Sequence, residues 1–191
     1  MLKFTSQEIK DIILSTIVLA VVFGGIGEGF LPALVVMALV FLSHELLGHK
    51  LVAQYFGCIA EYRKWTAGLV LALLGSLIGF VFAAPGAVYI QPQVKKGFAW
   101  TIHRLTKKEF GLIAAAGPVI NILFGFVFVY IIPYFPNYNS IIYLAARFSF
   151  FLALFNMLPF GPLDGAKVSD WSWAAWATIV VAGGLGFYLL I

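Results

Sequence analysis

Charged side chains are scarce in this sequence. Asp, Glu, Lys and Arg make up 10% of its 191 residues, whereas soluble globular proteins contain about 25%. Hydrophobic residues make up 62%, so the chain has too little polar surface to cover a globule that faces water. These values exclude a soluble domain and predict a protein that crosses the membrane several times.

Cysteine is almost absent as well. The one cysteine, Cys58, excludes an intramolecular disulfide and any Cys-x-x-Cys metal or redox site. The net charge of +4 is not gathered into a basic stripe and no nucleic-acid-binding motif is present, so we expect no nucleic-acid partner. No repeat or low-complexity linker divides the sequence. We therefore expect a single transmembrane domain over residues 1–191.

Six apolar runs follow one another along the chain, and a membrane-spanning helix needs about 20 mostly apolar residues. The first run lacks a convincing small-residue cleavage site, so we expect it to be a retained span rather than a signal peptide. The runs cover roughly residues 11–27, 31–56, 66–84, 110–133, 139–160 and 171–191.

The positions of Lys and Arg predict how these runs are oriented, because short cytoplasmic loops carry an excess of both. Positive residues precede the first run and follow the second, which predicts a cytoplasmic N-terminus. The link at 85–109 would lie outside if run 66–84 crossed the membrane, yet it is the richest in positive charge: it carries Lys95, Lys96, Arg104, Lys107 and Lys108. A re-entrant segment at 66–84 keeps this link inside.

We therefore predict an all-α polytopic fold with about five spanning helices, one re-entrant segment and a short strand or hairpin region. Six full spans with atypical loops are the alternative. Residues 87–91, between two prolines, are typical of a short strand. Its edge could receive an unwound substrate by β-addition, or the strand could be part of a purely structural hairpin.

The stretch Ser43–Lys50, SHELLGHK, places ionisable side chains within the second apolar run. Such residues are costly at membrane depth and by default mark function. A lone histidine would be explained as a satisfied core group, but here His44 and His49 flank Glu45. Imidazole and carboxylate groups are zinc ligands, and in a His-Glu-x-x-His helix the glutamate is the base. The stretch is therefore a candidate zinc site.

A second polar motif follows the fifth run, where Asn156 and Asp164 belong to the pattern Asn-x-x-Pro-x-x-Pro-x-Asp-Gly. An aspartate behind two prolines suits a third ligand held on a rigid turn, although Pro, Asp and Gly are also ordinary in a loop that leaves the membrane. The stretch Gly117-Pro118-Val119-Ile120-Asn121 lies between the two motifs. Asn121 could hydrogen-bond to a neighbour or to substrate, or the stretch could simply be a small-residue packing face.

In this order the three motifs resemble those of the site-2 protease family, zinc metalloproteases that cut their substrates within the membrane. The motif-bearing core is roughly 31–167, and residues 49–57 also resemble the stretch after the family's second histidine. The resemblance implies Zn2+ as the cofactor and Asp164 as its third ligand. It implies that Glu45 activates the water and passes its proton to the leaving amine. Asn156 would orient the substrate or stabilise the charge that develops on the scissile carbonyl.

The resemblance also implies a transmembrane-protein substrate that enters laterally between helices, in a multi-pass enzyme surrounded by the lipid of, we expect, a prokaryotic cell membrane. Two other functions stay open at this point. A non-catalytic member could bind or hold membrane-protein clients without cutting them. A metal-ion carrier is the third hypothesis, which is disfavoured because the charged groups within the runs lie mainly near one face.

The histidine spacing departs from the family motif, because this chain has His-Glu-x-x-x-His. In a regular α-helix, at about 100° per residue, His44 and His49 would lie roughly 140° apart around the axis. A π-bulge with i→i+5 turns would align the two histidines and keep Glu45 as the base. Alternatively, a regular helix would make Glu45 a ligand together with His49 and Asp164. In the third alternative the site binds no metal.

Overall fold

The computed structural model describes residues 4–91, 93–96, 99–102 and 105–191. Arg104, one of the positive residues used above to orient the runs, lies outside these ranges. The described part is mostly helical, with two small antiparallel sheets. In chain order its elements are α1 (Ser6–Gly24), α2 (Phe30–Leu42), a π-helical segment (Ser43–Lys50), α3 (Leu51–Tyr55), β1 (Ile59–Lys64), α4 (Thr66–Leu77), β2 (Gly86–Gln91), β3 (Gln93–Lys96), β4 (Ala99–Ile102), α5 (Lys107–Ile131), α6 (Asn139–Asn156), α7 (Asp164–Trp171) and α8 (Trp173–Tyr188).

Three helices in the described ranges are long and apolar enough to cross a membrane: Phe30–Tyr55, Lys107–Tyr134 and Pro136–Asn156. They coincide with the second, fourth and fifth apolar runs. Helices α4 and α8 are also apolar but have only 12 and 16 residues. Helix α1 carries three charged side chains near its start: Glu8, Lys10 and Asp11. The count of five spans therefore stays a prediction.

Helix α4 belongs to a segment that leaves a small sheet and returns to it. Strands β1 and β2 pair antiparallel, with Lys64 opposite Gly86, and the Trp65 N–H donates to the Pro85 carbonyl over 2.8 Å. Both ends of residues 66–84 are thus joined at one point. A helix of 12 residues is about 18 Å long, which is shorter than the roughly 30 Å hydrocarbon core of a bilayer.

The sheet confirms one expectation and adds one strand. The predicted strand at 87–91 is β2, one residue longer at its start. Its partner β1 was not predicted from the sequence. Within the described ranges β2 pairs only with β1, so its other edge carries no strand.

Helix α5 is the central element, and it packs against the π-helical segment, α6 and α7. It begins with a capping box in which Thr106 and Glu109 bond each other's backbone N–H groups. Its closest approach to the π-helical segment is at two glycines: a Cβ on Gly48 would lie 2.6 Å from Gly117 Cα. Nearby, a small cluster of Ala53, Ala60 and Ile113 encloses the buried Cys58.

Candidate metal centre

The π-helical segment brings the two histidines of SHELLGHK onto one side of the helix. Its backbone N–H groups donate to the carbonyl five residues earlier rather than four, as in the bond from the Leu51 N–H to the Leu46 carbonyl. As a result His44 Nε2 and His49 Nε2 are 3.1 Å apart. The π-bulge predicted from the spacing is therefore present, and the regular-helix alternative, with Glu45 as a ligand, is wrong.

Asp164 reaches the same point from the first turn of α7. Its Oδ2 atom lies 3.5 Å from His44 Nε2 and 3.1 Å from His49 Nε2. The turn before it is tightly formed, because Gly161 has a φ of +64° and a Cβ on Gly165 would run into the backbone carbonyls of residues 157 and 158. The three side chains predicted as ligands thus converge, and all three are buried.

Helix α5 fixes which ring nitrogen of His49 carries the proton. His49 Nδ1 lies 2.8 Å from the Ile113 carbonyl, and a carbonyl can only accept, so Nδ1–H donates. In the neutral imidazole, Nε2 then has the free lone pair. A second-shell bond of this kind is what orients a metal-binding histidine.

Asn121 is the second-shell partner of the other histidine, His44, whose Nδ1 lies 3.0 Å from the Asn121 amide nitrogen. The amide oxygen of Asn121 is buried without a hydrogen-bond partner among the described residues. With the amide turned over, this oxygen would accept from His44 Nδ1–H, and the His44 Nε2 lone pair would then be free for a metal. Of the two interpretations of Asn121 from the sequence, the hydrogen bond across to a neighbouring helix is therefore observed.

The donor set fits Zn2+. Three lone-pair atoms, two imidazole nitrogens and one carboxylate oxygen, lie 3.1–3.5 Å from one another. With bonds of 2.0–2.1 Å, a tetrahedral zinc separates its ligand atoms by about 3.3 Å. Gly117 leaves the space that such an ion needs, because a Cβ there would lie within 2.7 Å of the Nε2 atoms of both histidines.

Glu45 lies beside these atoms and is not one of them. Its side chain is buried, and its Oε2 atom has no hydrogen-bond partner in the described structure. It lines a cavity of about 510 Å³ together with His49, Asp164 and Asn156. Asn156 donates one amide N–H to the Leu152 carbonyl over 3.0 Å. Both residues predicted as catalytic therefore lie on the wall of one cavity with two of the three candidate ligands, His49 and Asp164.

The cavity has two further features, a lysine that the sequence analysis did not assign to the site and the strand that it did predict. Lys167, one turn after Asp164, lines it and donates to Asp164 Oδ1 over 3.4 Å. Five consecutive residues of β2, 86–90, also line it. Because side chains alternate between the two faces of a strand, a lining of five residues in a row indicates that the cavity runs along the edge of the strand.

Comparison with known proteins gives one clear relative. A protein of Methanocaldococcus jannaschii named "Putative zinc metalloprotease MJ0611" is 36% identical to this chain over 185 residues, which are 93% of this chain and 91% of the relative. No family profile matches the chain, and no solved structure matches it. Since the identity extends over nearly the whole of both proteins and the His/His/Asp group fits zinc, this chain belongs to the same zinc metalloprotease family.

Proposed function

We propose that this chain is an intramembrane endopeptidase of the site-2 protease type, which cleaves transmembrane segments of other membrane proteins. The observation that carries the proposal is the position of Glu45 on the wall of a cavity beside a His/His/Asp group, with its Oε2 atom bound to no other group in the described ranges. A purely structural metal site has four protein ligands and no open position, whereas a catalytic site has three.

The location of the site supports cleavage within the membrane. His44, Glu45 and His49 lie in the C-terminal half of the apolar helix Phe30–Tyr55, and an ionisable side chain within a spanning helix marks function. With the N-terminus in the cytoplasm, residues 66–84 would dip into the cytoplasmic half of the bilayer and return, because both of their ends are joined at the β1–β2 sheet. Asp164 then enters from the same side.

Each residue of the site has one task in this proposal. His44, His49 and Asp164 hold Zn2+, which when bound supplies a Lewis acid that activates water for attack on a peptide carbonyl. Glu45 takes a proton from the attacking water and delivers it to the leaving amine nitrogen as the C–N bond breaks. Asn156 keeps a second amide N–H available for the substrate, since only one is used by the Leu152 carbonyl.

The free edge of β2 supports an extended, rather than helical, substrate. A helix hides its peptide carbonyls in i→i+4 hydrogen bonds, so a transmembrane substrate must unwind before it is cut. An unwound segment can pair with the exposed N–H and C=O groups of an edge strand. Residues 86–90 border the same cavity as Glu45, which would align such a segment beside the carboxylate.

The test uses the full chain in liposomes, with a single-span transmembrane peptide that carries a fluorophore at each end. We expect cleavage that stops with a zinc chelator and returns with added zinc. Glu45→Gln should keep its zinc and lose about 100- to 10,000-fold in rate, the usual contribution of a general acid–base group. Glu28→Gln, at an exposed position between α1 and α2, is the matched control and should cut normally.

Two results would overturn the proposal. Cleavage by Glu45→Gln at the wild-type rate would show that Glu45 is not the general acid–base group on which the proposal depends. A zinc-loaded wild-type protein that binds the peptide without cutting it would instead support a protein that holds membrane clients.

A further inference from the structure

A buried ion pair is formed by the residue that follows the candidate ligand His49 in the sequence. Lys50, the residue after His49, extends its Nζ atom to 2.6 Å from both carboxylate oxygens of Glu8 in α1. The exposed fractions of the two side chains are 0% and 1%. The Lys50 ammonium also lies 4.2 Å from the centre of the Phe4 ring.

The pair is hard to explain as a source of stability. Taking two charges out of water costs about as much as their mutual attraction returns, so a well-packed apolar pair would serve as well or better. Buried ion pairs of this kind are best attested as devices that select one arrangement of helices over another. The question is therefore which arrangement Glu8 and Lys50 select.

The π-helical segment supplies an answer. A π-bulge takes one residue more to complete its turn, so every residue after it is rotated by roughly 100° relative to an unbroken α-helix. His49 and Lys50 are consecutive and both lie at the end of this segment. In an unbroken helix His49 would turn away from His44, and Lys50 would turn away from Glu8 by the same angle.

The same carboxylate also reaches the sheet that borders the cavity. Glu8 Oε1 accepts the Tyr62 N–H of β1 over 3.0 Å, and the Tyr62 hydroxyl donates to Ser15 of α1 over 2.9 Å. Helix α1 thus contacts the end of the π-helical segment and the partner strand of β2 through one side chain.

We infer that Glu8 and Lys50 are positioning residues that lock the π-helical register, so that His44 and His49 share one side of the helix before any metal is bound. A single π turn is rare, and in the native sequence, with Leu47 present, the ion pair forms only when that turn is present. The inference rests on the proposed function, since it assumes that the two histidines hold zinc.

The test measures zinc affinity by competition and the visible absorption spectrum of the Co2+-substituted protein in detergent. The main variant is Glu8→Gln with Lys50→Met, which leaves no unpaired buried charge and still offers an acceptor to the Tyr62 N–H. We expect zinc to bind about 10- to 100-fold more weakly, the usual effect of losing support for a metal ligand. Lys107→Met with Asp170→Asn, which removes an exposed ion pair, is the matched control and should bind as wild type.

A deletion separates a loss of register from a general loosening of the fold. Removing Leu47, whose side chain is 41% exposed, gives His-Glu-Leu-Gly-His, a spacing that a regular α-helix aligns. This chain should bind zinc with or without the ion pair, because it needs no π turn. Combined with the Glu8→Gln and Lys50→Met changes, the deletion should therefore restore both the affinity and the Co2+ spectrum.

Three results would overturn the inference that Glu8 and Lys50 hold the π-helical register. These are wild-type zinc affinity in the charge-free double variant, an unfolded double variant, or no recovery of zinc affinity when Leu47 is also deleted. A wild-type protein that binds no zinc would overturn the metal site itself, and with it the proposed function.

Discussion

Gly117→Ala tests the closest contact at the candidate metal centre. The added methyl carbon would lie within 2.7 Å of the Nε2 atoms of His44 and His49, whereas ordinary contacts begin at 3.4 Å. One side or the other must therefore move by at least 0.7 Å relative to His44, and by more relative to His49, whereas metal–ligand distances tolerate only about 0.2 Å. A retreat of helix α5 would open its close backbone contact with the π-helical segment, between Gly117 and Gly48.

The expected loss follows from the cost of overpacking, which is typically 1–3 kcal/mol. If this cost falls on the metal-bound arrangement, zinc affinity decreases about 5- to 150-fold. The stability of the metal-free protein should change less, because alanine favours a helix over glycine by about 1 kcal/mol. In this variant the zinc affinity should thus decrease clearly, while the free energy of unfolding of the metal-free protein changes less.

Zinc competition and the Co2+ spectrum measure the effect, with thermal unfolding of the metal-free protein alongside. Gly184→Ala is the matched control, since a Cβ at Gly184 would meet no atom within 4 Å. An unchanged zinc affinity and an unchanged Co2+ spectrum in Gly117→Ala would refute the proposed position of the metal between the two histidines and Asp164.

Three further predictions concern the surroundings of the site. Asn121→Leu removes the hydrogen bond to His44 and should weaken zinc binding about 10- to 100-fold; wild-type affinity in a calorimetric titration would contradict this role. Val88→Pro removes a backbone N–H from β2 and should abolish peptide cleavage while the zinc content stays at one ion per chain; undiminished cleavage would rule out pairing of the substrate with this strand. Zinc at 100 times its dissociation constant should stabilise the fold by about 2.7 kcal/mol, so a chelator should lower the unfolding temperature, and an identical temperature with and without metal would count against a site in the native state.

The long apolar elements were predictable because composition alone sets them. The runs at 31–56, 110–133 and 139–160 match helices to within a few residues at most ends, since a membrane helix is recognised by its length and apolar content. The return of residues 66–84 was predicted from charge, because a crossing would have moved five positive residues outside. Strand β1 was missed since its sequence, IAEYRK, is short and half charged, and only its pairing with β2 makes it a strand.

The metal-site residues were predictable as a set, but their supporting contacts were not. A π turn was one of three alternatives for the spacing of His44 and His49, and the structure has it. No sequence signal marks the Ile113 carbonyl, since every residue has a carbonyl, and Gly117 was visible only as part of a small-residue stretch. Glu8 and Lys50 are 42 residues apart, and their pairing follows from the packing of α1, which no local pattern encodes.

The burial of Cys58 makes topology mapping by thiol labelling straightforward. Burial raises the pKa of this thiol, and the thiolate is the form that reacts with maleimides, so the native cysteine will give little background. Cysteines introduced one at a time at the exposed positions Gly27, Ile78 and Asn137 would then be the reactive thiols of their variants. With an impermeant reagent added outside cells, Gly27→Cys and Asn137→Cys should be labelled and Ile78→Cys should not. This result would distinguish a segment that dips into the membrane and returns from a sixth crossing.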